Sequence, residues 1–362
     1  MKYLNQLTIW MIACCFYSYN PAISLFIFML FFISTILNKL KRSEFFFVIL
    51  FGIAYFCFIS YLYWNNSFEF LSNFINKIFK TNIRNNLSNY FIKIHKNHIG
   101  SFFSLILLNI KNEFNKKLYY NLISLSIVHL IVISGYHVNL FCIFFKKIFC
   151  NISFFKYLLP IIIAFVISYL NGFSSSTVRV LASNIFLSFS YTRLNSSNLS
   201  TILICLVAPK SITSLGVCMS LLGSRGIKVF FKLEGSGHFY ENIFSSFFAT
   251  LYILPFVSYM NEYVSLWAIF YSLLFTPIFM VVYFLSLFFC WFNNLDSLIN
   301  FFYLLIANSS KILSYINVEI PIKFMSKNYF LITFYSILEL VNLFLIKERK
   351  KEKWKLKNFL KK

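Results

Sequence analysis

Long apolar runs alternate with short polar joints along most of the chain. The runs cover 7–19, 21–37, 45–63, 122–145, 157–171, 176–191, 199–208, 213–223, 242–260, 264–290, 298–317 and 329–346. Residues 264–292, VSLWAIFYSLLFTPIFMVVYFLSLFFCWF, carry no charge at all. A helix needs about 20 apolar residues to cross a bilayer, so this run alone is enough for one crossing. The short pair at 199–223 reads as a re-entrant hairpin around Pro209–Lys210. The pattern predicts an all-α integral membrane protein, a polytopic helical bundle of about 9–12 transmembrane or re-entrant segments.

Lysine and arginine in the joints set the expected orientation, because short cytoplasmic loops carry the excess of positive charge. Lys39, Lys41 and Arg42 place the loop after the second run inside. Lys146, Lys147 and Lys156 do the same after the fourth, and Arg193, Arg225, Lys228 and Lys232 continue the alternation. It closes if 199–223 crosses an even number of times or re-enters. Both termini are then cytoplasmic, with the chain multi-pass in a bacterial cell (inner) membrane. Four regions follow: N-terminal transmembrane helices at 1–63, an external polar or amphipathic segment at 64–121, a second transmembrane region at 122–346, and a basic cytoplasmic tail at 347–362. The external segment, with His95 and His98, reads either as solvated surface with amphipathic helices or as a basic vestibule attracting an anion. The tail, KERKKEKWKLKNFLKK, reads as a contact for anionic lipid or for nucleic-acid phosphates.

Composition reinforces the membrane reading. Of 362 residues, 59% are hydrophobic and 12% charged. A soluble domain carries roughly 25% charged residues. The abundance of Phe, Ile, Asn, Lys and Tyr fits an AT-rich bacterial genome, so the net charge of +22 is only partly functional. The eight cysteines form no CxxC spacing and read as buried small hydrophobes.

Two windows break the apolar monotony. HLIVISGYHV at 129–138 holds His129, Ser134, Gly135 and His137 inside one apolar run. Ionisable groups at bilayer depth are costly and mark functional sites by default. Ser134 and Gly135 are placed to break the helix, which is tolerated only against protein or a water-filled cavity. On an unbroken helix the two histidines would sit about 80° apart, which is not a zinc spacing. They read either as path-lining groups or as interhelical hydrogen-bonding histidines. The second window, NGFSSSTVR at 171–179, holds Gly172, Ser176 and Arg179. Arg179 either snorkels to the interface or faces a polar cavity and pairs with an anion.

Enzymatic chemistry lacks its parts. Neither GxSxG nor a GxxxxGK[ST] or GxGxxG loop occurs, and Asp296 is the one aspartate, which rules out an HxHxDH metal cluster. No catalytic residue, metal or cofactor is expected.

The two windows, with two more downstream, resemble the ComEC-type competence family, the DNA-uptake channel of transformable bacteria. HLIVISGYHV looks like that family's HLLAISGLHV signature, and SSSTVRV like its Ser-rich turn followed by Ser-x-x-Arg. LGVCMSLLGSRGI at 215–227 looks like its GFQLSF segment, matched by Gly216 and Ser220, with Cys218 in place of Gln. Pro255, Ser265 and Pro277 match a proline–serine–proline block, with Ser272 where the family has Asn. The likeness covers about 100–290 and implies the membrane channel without the family's OB-fold or metallo-β-lactamase-like domains.

The resemblance implies a channel for single-stranded DNA during natural transformation. His129, Ser134, Gly135, His137, Ser176 and Arg179 would line the path, Ser134 and Gly135 by shaping a broken helix there; Gly216, Ser220, Pro255, Ser265 and Pro277 are structural-motif positions. Expected partners are single-stranded DNA and membrane lipids, with a competence DNA receptor, a cytoplasmic helicase and further copies of the chain as candidates. The alternative is a repurposed or decayed transporter of a small polar or lipid-linked solute.

Overall fold

The computed structural model describes residues 2–17, 19–38, 41–64, 83–131, 135–149, 153–189, 191–234, 240–261, 263–321 and 332–338. These residues are overwhelmingly helical, as the all-α expectation holds. Strand among them is confined to one antiparallel ribbon, β1 (Tyr263–Ser265) with β2 (Glu319–Pro321). Two stretches, Ser43–Trp64 and Ala268–Phe289, are each 22 residues long and apolar enough to cross a membrane. The chain divides into two compact units. One comprises 1–116, 131–220 and 280–303; the other comprises 117–130, 221–279 and 304–362.

The first unit opens with α1 (Lys2–Tyr17), α2 (Pro21–Asn38) and α3 (Arg42–Trp64). Asn20 starts α2: its side-chain oxygen accepts from the N–H groups of Ala22 (3.1 Å) and Ile23 (3.3 Å), while Pro21 takes the first helical position. Helix α1 packs on both neighbours and on α10 (Arg193–Val207). There the Tyr55 hydroxyl donates to the Cys205 carbonyl at 2.6 Å, near the end of α10, where helix carbonyls have no partner of their own.

A tight hairpin follows, α4 (Ile83–Ile94) and α5 (Asn97–Leu108). Gly100 permits the approach: a Cβ there would lie 2.5 Å from the Phe91 carbonyl oxygen. Ser104, four residues on, accepts from the Ser88 hydroxyl at 2.9 Å, so small residues line both sides of the crossing. Within 64–121, α4 is half-exposed and α5 is buried from Ile99 to Leu108. The joint between the two helices docks on the junction joining the C-terminal end of α13 (Ala268–Phe289) to the start of α14 (Asp296–Ile316). His95 meets Asp296, His98 Nε2 meets Asn300 Oδ1 at 3.2 Å, and Tyr90 and Phe91 pack on the Trp291 ring. Then α7 (Gly135–Ile148), α8 (Ser153–Leu170), α9 (Ser175–Ser188) and α10 pack each on the next.

The second unit holds most of α6 (Glu113–Ser124), α11 (Leu215–Glu234) from Leu221 on, α12 (Tyr240–Asn261), the start of α13, the rest of α14 and the ribbon. Helix α11 runs on through Arg225 and Lys228, which the hydropathy pattern assigns to a loop. Gly226 faces the α12 backbone so closely that a Cβ would collide with the Phe248 carbonyl. Thr250 and Ser272 join α12 to α13 through their hydroxyls at 2.9 Å. In the ribbon, burial first and the Glu319 charge second push the Tyr263 hydroxyl up to about 12.

Candidate functional site

The segment 122–145, read from hydropathy as one span, is two helices. Helix α6 stops because Ser126 adopts the left-handed conformation (φ 59°). The Ser126 N–H then bonds the Ile123 carbonyl at 2.8 Å and the Ile127 N–H bonds the Leu122 carbonyl at 3.0 Å. This pair of bonds is a Schellman stop. A 3₁₀ turn, Val128–Leu130, follows, and α7 begins at Gly135. The interruption anticipated at Ser134–Gly135 therefore begins earlier, at Leu125. Ser134 itself lies outside the described residues.

The two histidines of this window fall in different units. His129 sits on the 3₁₀ turn in the second unit, its Nδ1 buried without a partner among the described residues. His137 lies one turn into α7 in the first unit and is buried. Its ring tilts against that of Tyr283, with centroids 4.3 Å apart. The Tyr283 hydroxyl donates to the Ile131 carbonyl, satisfying a backbone acceptor at the interruption.

The second window is built from the end of α8. Gly172 (φ 63°) and Phe173 (φ 52°) turn the chain, and Ser174 precedes α9. The Gly172 turn lies beside Arg84: a Cβ there would be 3.7 Å from Arg84 Nη1. Arg84 also donates to the Leu108 and Asn109 carbonyls at 2.7 and 2.9 Å, and burial lowers its guanidinium from the ordinary value. Ser176, Thr177 and Arg179 then point into the protein and are buried. Arg179 is 8% exposed. Its Nη2 donates to the Ser220 hydroxyl at 2.6 Å and to the Ser220 carbonyl at 3.2 Å, while its Nε has no partner among the described residues.

One turn away, Ser176 faces Gly216. A Cβ on Gly216 would meet the Ser176 hydroxyl at 3.8 Å. Ser176 and Arg179, read as path residues, thus meet Gly216 and Ser220, read as structural-motif positions, in two successive pairs between α9 and the start of α11.

The other motif residues have local roles. Cys218, in the family's Gln position, donates from its thiol to the Ile212 carbonyl at 3.2 Å. Pro255 and Pro277 lie inside α12 and α13. Ser265 is buried and donates to Asn317 Oδ1 at 2.6 Å, and Asn317 Nδ2 donates to the Ser124 carbonyl at 2.9 Å. Sequence reasoning missed Tyr283 and Asn317. Tyr283 is one of the chain's 23 tyrosines and lies inside an apolar run, and nothing in the order of residues ties it to Ile131.

Fold and site define an all-helical protein of apolar helices with buried, incompletely paired polar groups at its motif windows. The Competence protein family model matches residues 106–349, and the chain belongs to that family. The family is membrane-associated and serves DNA uptake. The chain is 26% identical over 213 residues to an uncharacterized protein of Mycoplasma genitalium, covering 56% of this chain and 55% of that one. It is also 26% identical over 188 residues to the homolog in Mycoplasma pneumoniae, covering 49% of each. The chain spans about half the length of the curated relatives it matches. No solved structure matches it.

Proposed function

We propose that this chain is the membrane channel core through which single-stranded DNA enters the cell. In this reading it is a multi-pass bundle of the cytoplasmic membrane with both termini inside, and it makes and breaks no bond. A DNA receptor outside and a helicase inside would feed and draw the strand.

The observation that carries the reading is the interrupted helix at the first signature. Irregular backbone at membrane depth is tolerated only where protein buries it or where it lines a watery cavity. Here the interruption falls within an apolar run, and Tyr283 and His137 supply polar groups at its first-unit end. A mere anchor needs neither the break nor the buried imidazole. A single strand needs a wet path with donors that follow its phosphates, and a break in an apolar helix is where such a path can form.

The test is nuclease-protected uptake of labelled DNA in cells carrying the wild-type chain, no chain, or His137→Ala. Equal uptake by His137→Ala at equal membrane abundance contradicts the lining role. Equal uptake without the chain contradicts the channel and favours transport of another solute.

A further inference from the structure

The β1–β2 ribbon has two unlike faces. In its register Val264 lies opposite Ile320 and Ser265 opposite Glu319, and the Leu266 N–H donates to the Val318 carbonyl at 3.1 Å. Side chains alternate along a strand, so Leu266, Val318 and Ile320 share one face, and Ser265 and Glu319 the other. Ser265 is buried and bonded to Asn317, so this second face is turned toward the protein at its centre. The first face is turned outward: Leu266, Val318 and Ile320 are all exposed.

Aromatic rings extend this surface. Trp267 and Phe270, at the start of α13, are exposed, with ring centroids 5.6 Å apart. Tyr315, in the last turn of α14 and two residues before Asn317, is exposed as well. All six groups belong to the second unit. Soluble proteins rarely leave contiguous apolar patches of this kind to water, and such patches mark a partner or a membrane.

Two observations say which. Trp267 comes directly before Ala268–Phe289, a stretch long and apolar enough to cross a membrane, and the exposed apolar surface continues onto that stretch through Phe270 and Leu274. Tryptophan and tyrosine also gather where spans end, because their amphipathic rings suit the boundary between headgroups and acyl chains. Helix contacts inside a bilayer select small residues instead, and this patch is built of large ones.

We propose that this surface is a membrane anchor: the apolar face of the ribbon, with Trp267 and Tyr315, lies in the interfacial layer of a phospholipid bilayer. It sets the level at which α13 enters the hydrocarbon. Glu319, on the other face, keeps its charge out of the acyl chains. The inference rests on the membrane part of the reading above and not on its DNA part.

The experiment reconstitutes the full chain in phosphatidylcholine–phosphatidylglycerol liposomes whose acyl chains are brominated either near the carbonyls or near the chain ends. The Trp267 emission is isolated by subtracting the spectrum of Trp267→Phe. A second probe, bimane attached to Val318→Cys, reports the ribbon independently of the tryptophan. Both probes are expected to be quenched about twofold more by the shallow bromines than by the deep ones, and little by aqueous iodide, as interfacial groups are. Quenching by iodide and by neither lipid places the patch in water and overturns the anchor. Stronger quenching by the deep bromines overturns the interfacial depth. Quenching by nothing, with disulfide cross-linking of Val318→Cys between copies, assigns the surface to a second copy of the chain and overturns the lipid partner. Alkaline extraction of the same liposomes separates the two readings: a chain that washes off contradicts the membrane reading itself, whereas an inserted chain with both probes in water contradicts the anchor alone.

Discussion

His95 and Asp296 are 201 residues apart in sequence, and their side chains meet at 2.6 Å. The other ring nitrogen of His95 faces the Cys290 carbonyl at 2.9 Å. A carbonyl can only accept, so the ring nitrogen facing Cys290 donates. The imidazole is fully enclosed, with the Phe103 ring 4.8 Å away. The chain's one aspartate thus holds the α4–α5 hairpin to the α13–α14 junction. Asp296→Asn keeps an acceptor oxygen but removes the charge that strengthens this bond, and is expected to cost about 1–3 kcal/mol. The check is the thermal unfolding midpoint in detergent, with a His95→Leu/Asp296→Asn double-mutant cycle to isolate the coupling.

Glycines separate packing from site. Gly100→Ala places a methyl group against the Phe91 carbonyl and the Ile92 backbone, and overpacking of this kind costs about 1–3 kcal/mol. Gly216→Ala meets only ordinary contacts and is expected to leave stability unchanged. Limited proteolysis of both variants discriminates: rapid cleavage near the α4–α5 hairpin is expected in the first alone.

Tyr283→Phe removes the hydroxyl that satisfies Ile131. An unpaired buried carbonyl costs about 1–3 kcal/mol, concentrated at the interruption. Hydrogen exchange checks it: amides around Ile131 are expected to exchange faster, with those of α5 unaffected.

Ser265→Ala removes the hydroxyl that donates to Asn317 Oδ1 and orients Asn317 toward Ser124. The expected loss is about 1 kcal/mol, and Asn317→Ala, which breaks both bonds, is expected to cost more. Thermal midpoints of the two variants order them.

The helical class was legible because apolar runs of spanning length leave few alternatives. The interruption was legible from Ser134 and Gly135 but not its start, since a serine at a left-handed helix stop, as at Ser126, has no signature comparable to glycine. Helix α5 was not legible as core, because its Asn- and Lys-rich flanks mask GSFFSLILL within an outwardly polar stretch. The motif residues were legible singly. Their pairing, Ser176 with Gly216 and Arg179 with Ser220, depends on how α9 and α11 approach, which no local pattern encodes. The same holds for His95 with Asp296, whose partnership is purely tertiary.

The most direct measurement of the central claim places the purified full chain in liposomes and follows entry of labelled oligothymidylate into the lumen, where added nuclease cannot reach it. The account predicts protected label in liposomes containing the wild-type chain, and a clear reduction with His137→Ala at equal insertion. Protected label no greater than in protein-free liposomes, with the chain fully inserted, would contradict it.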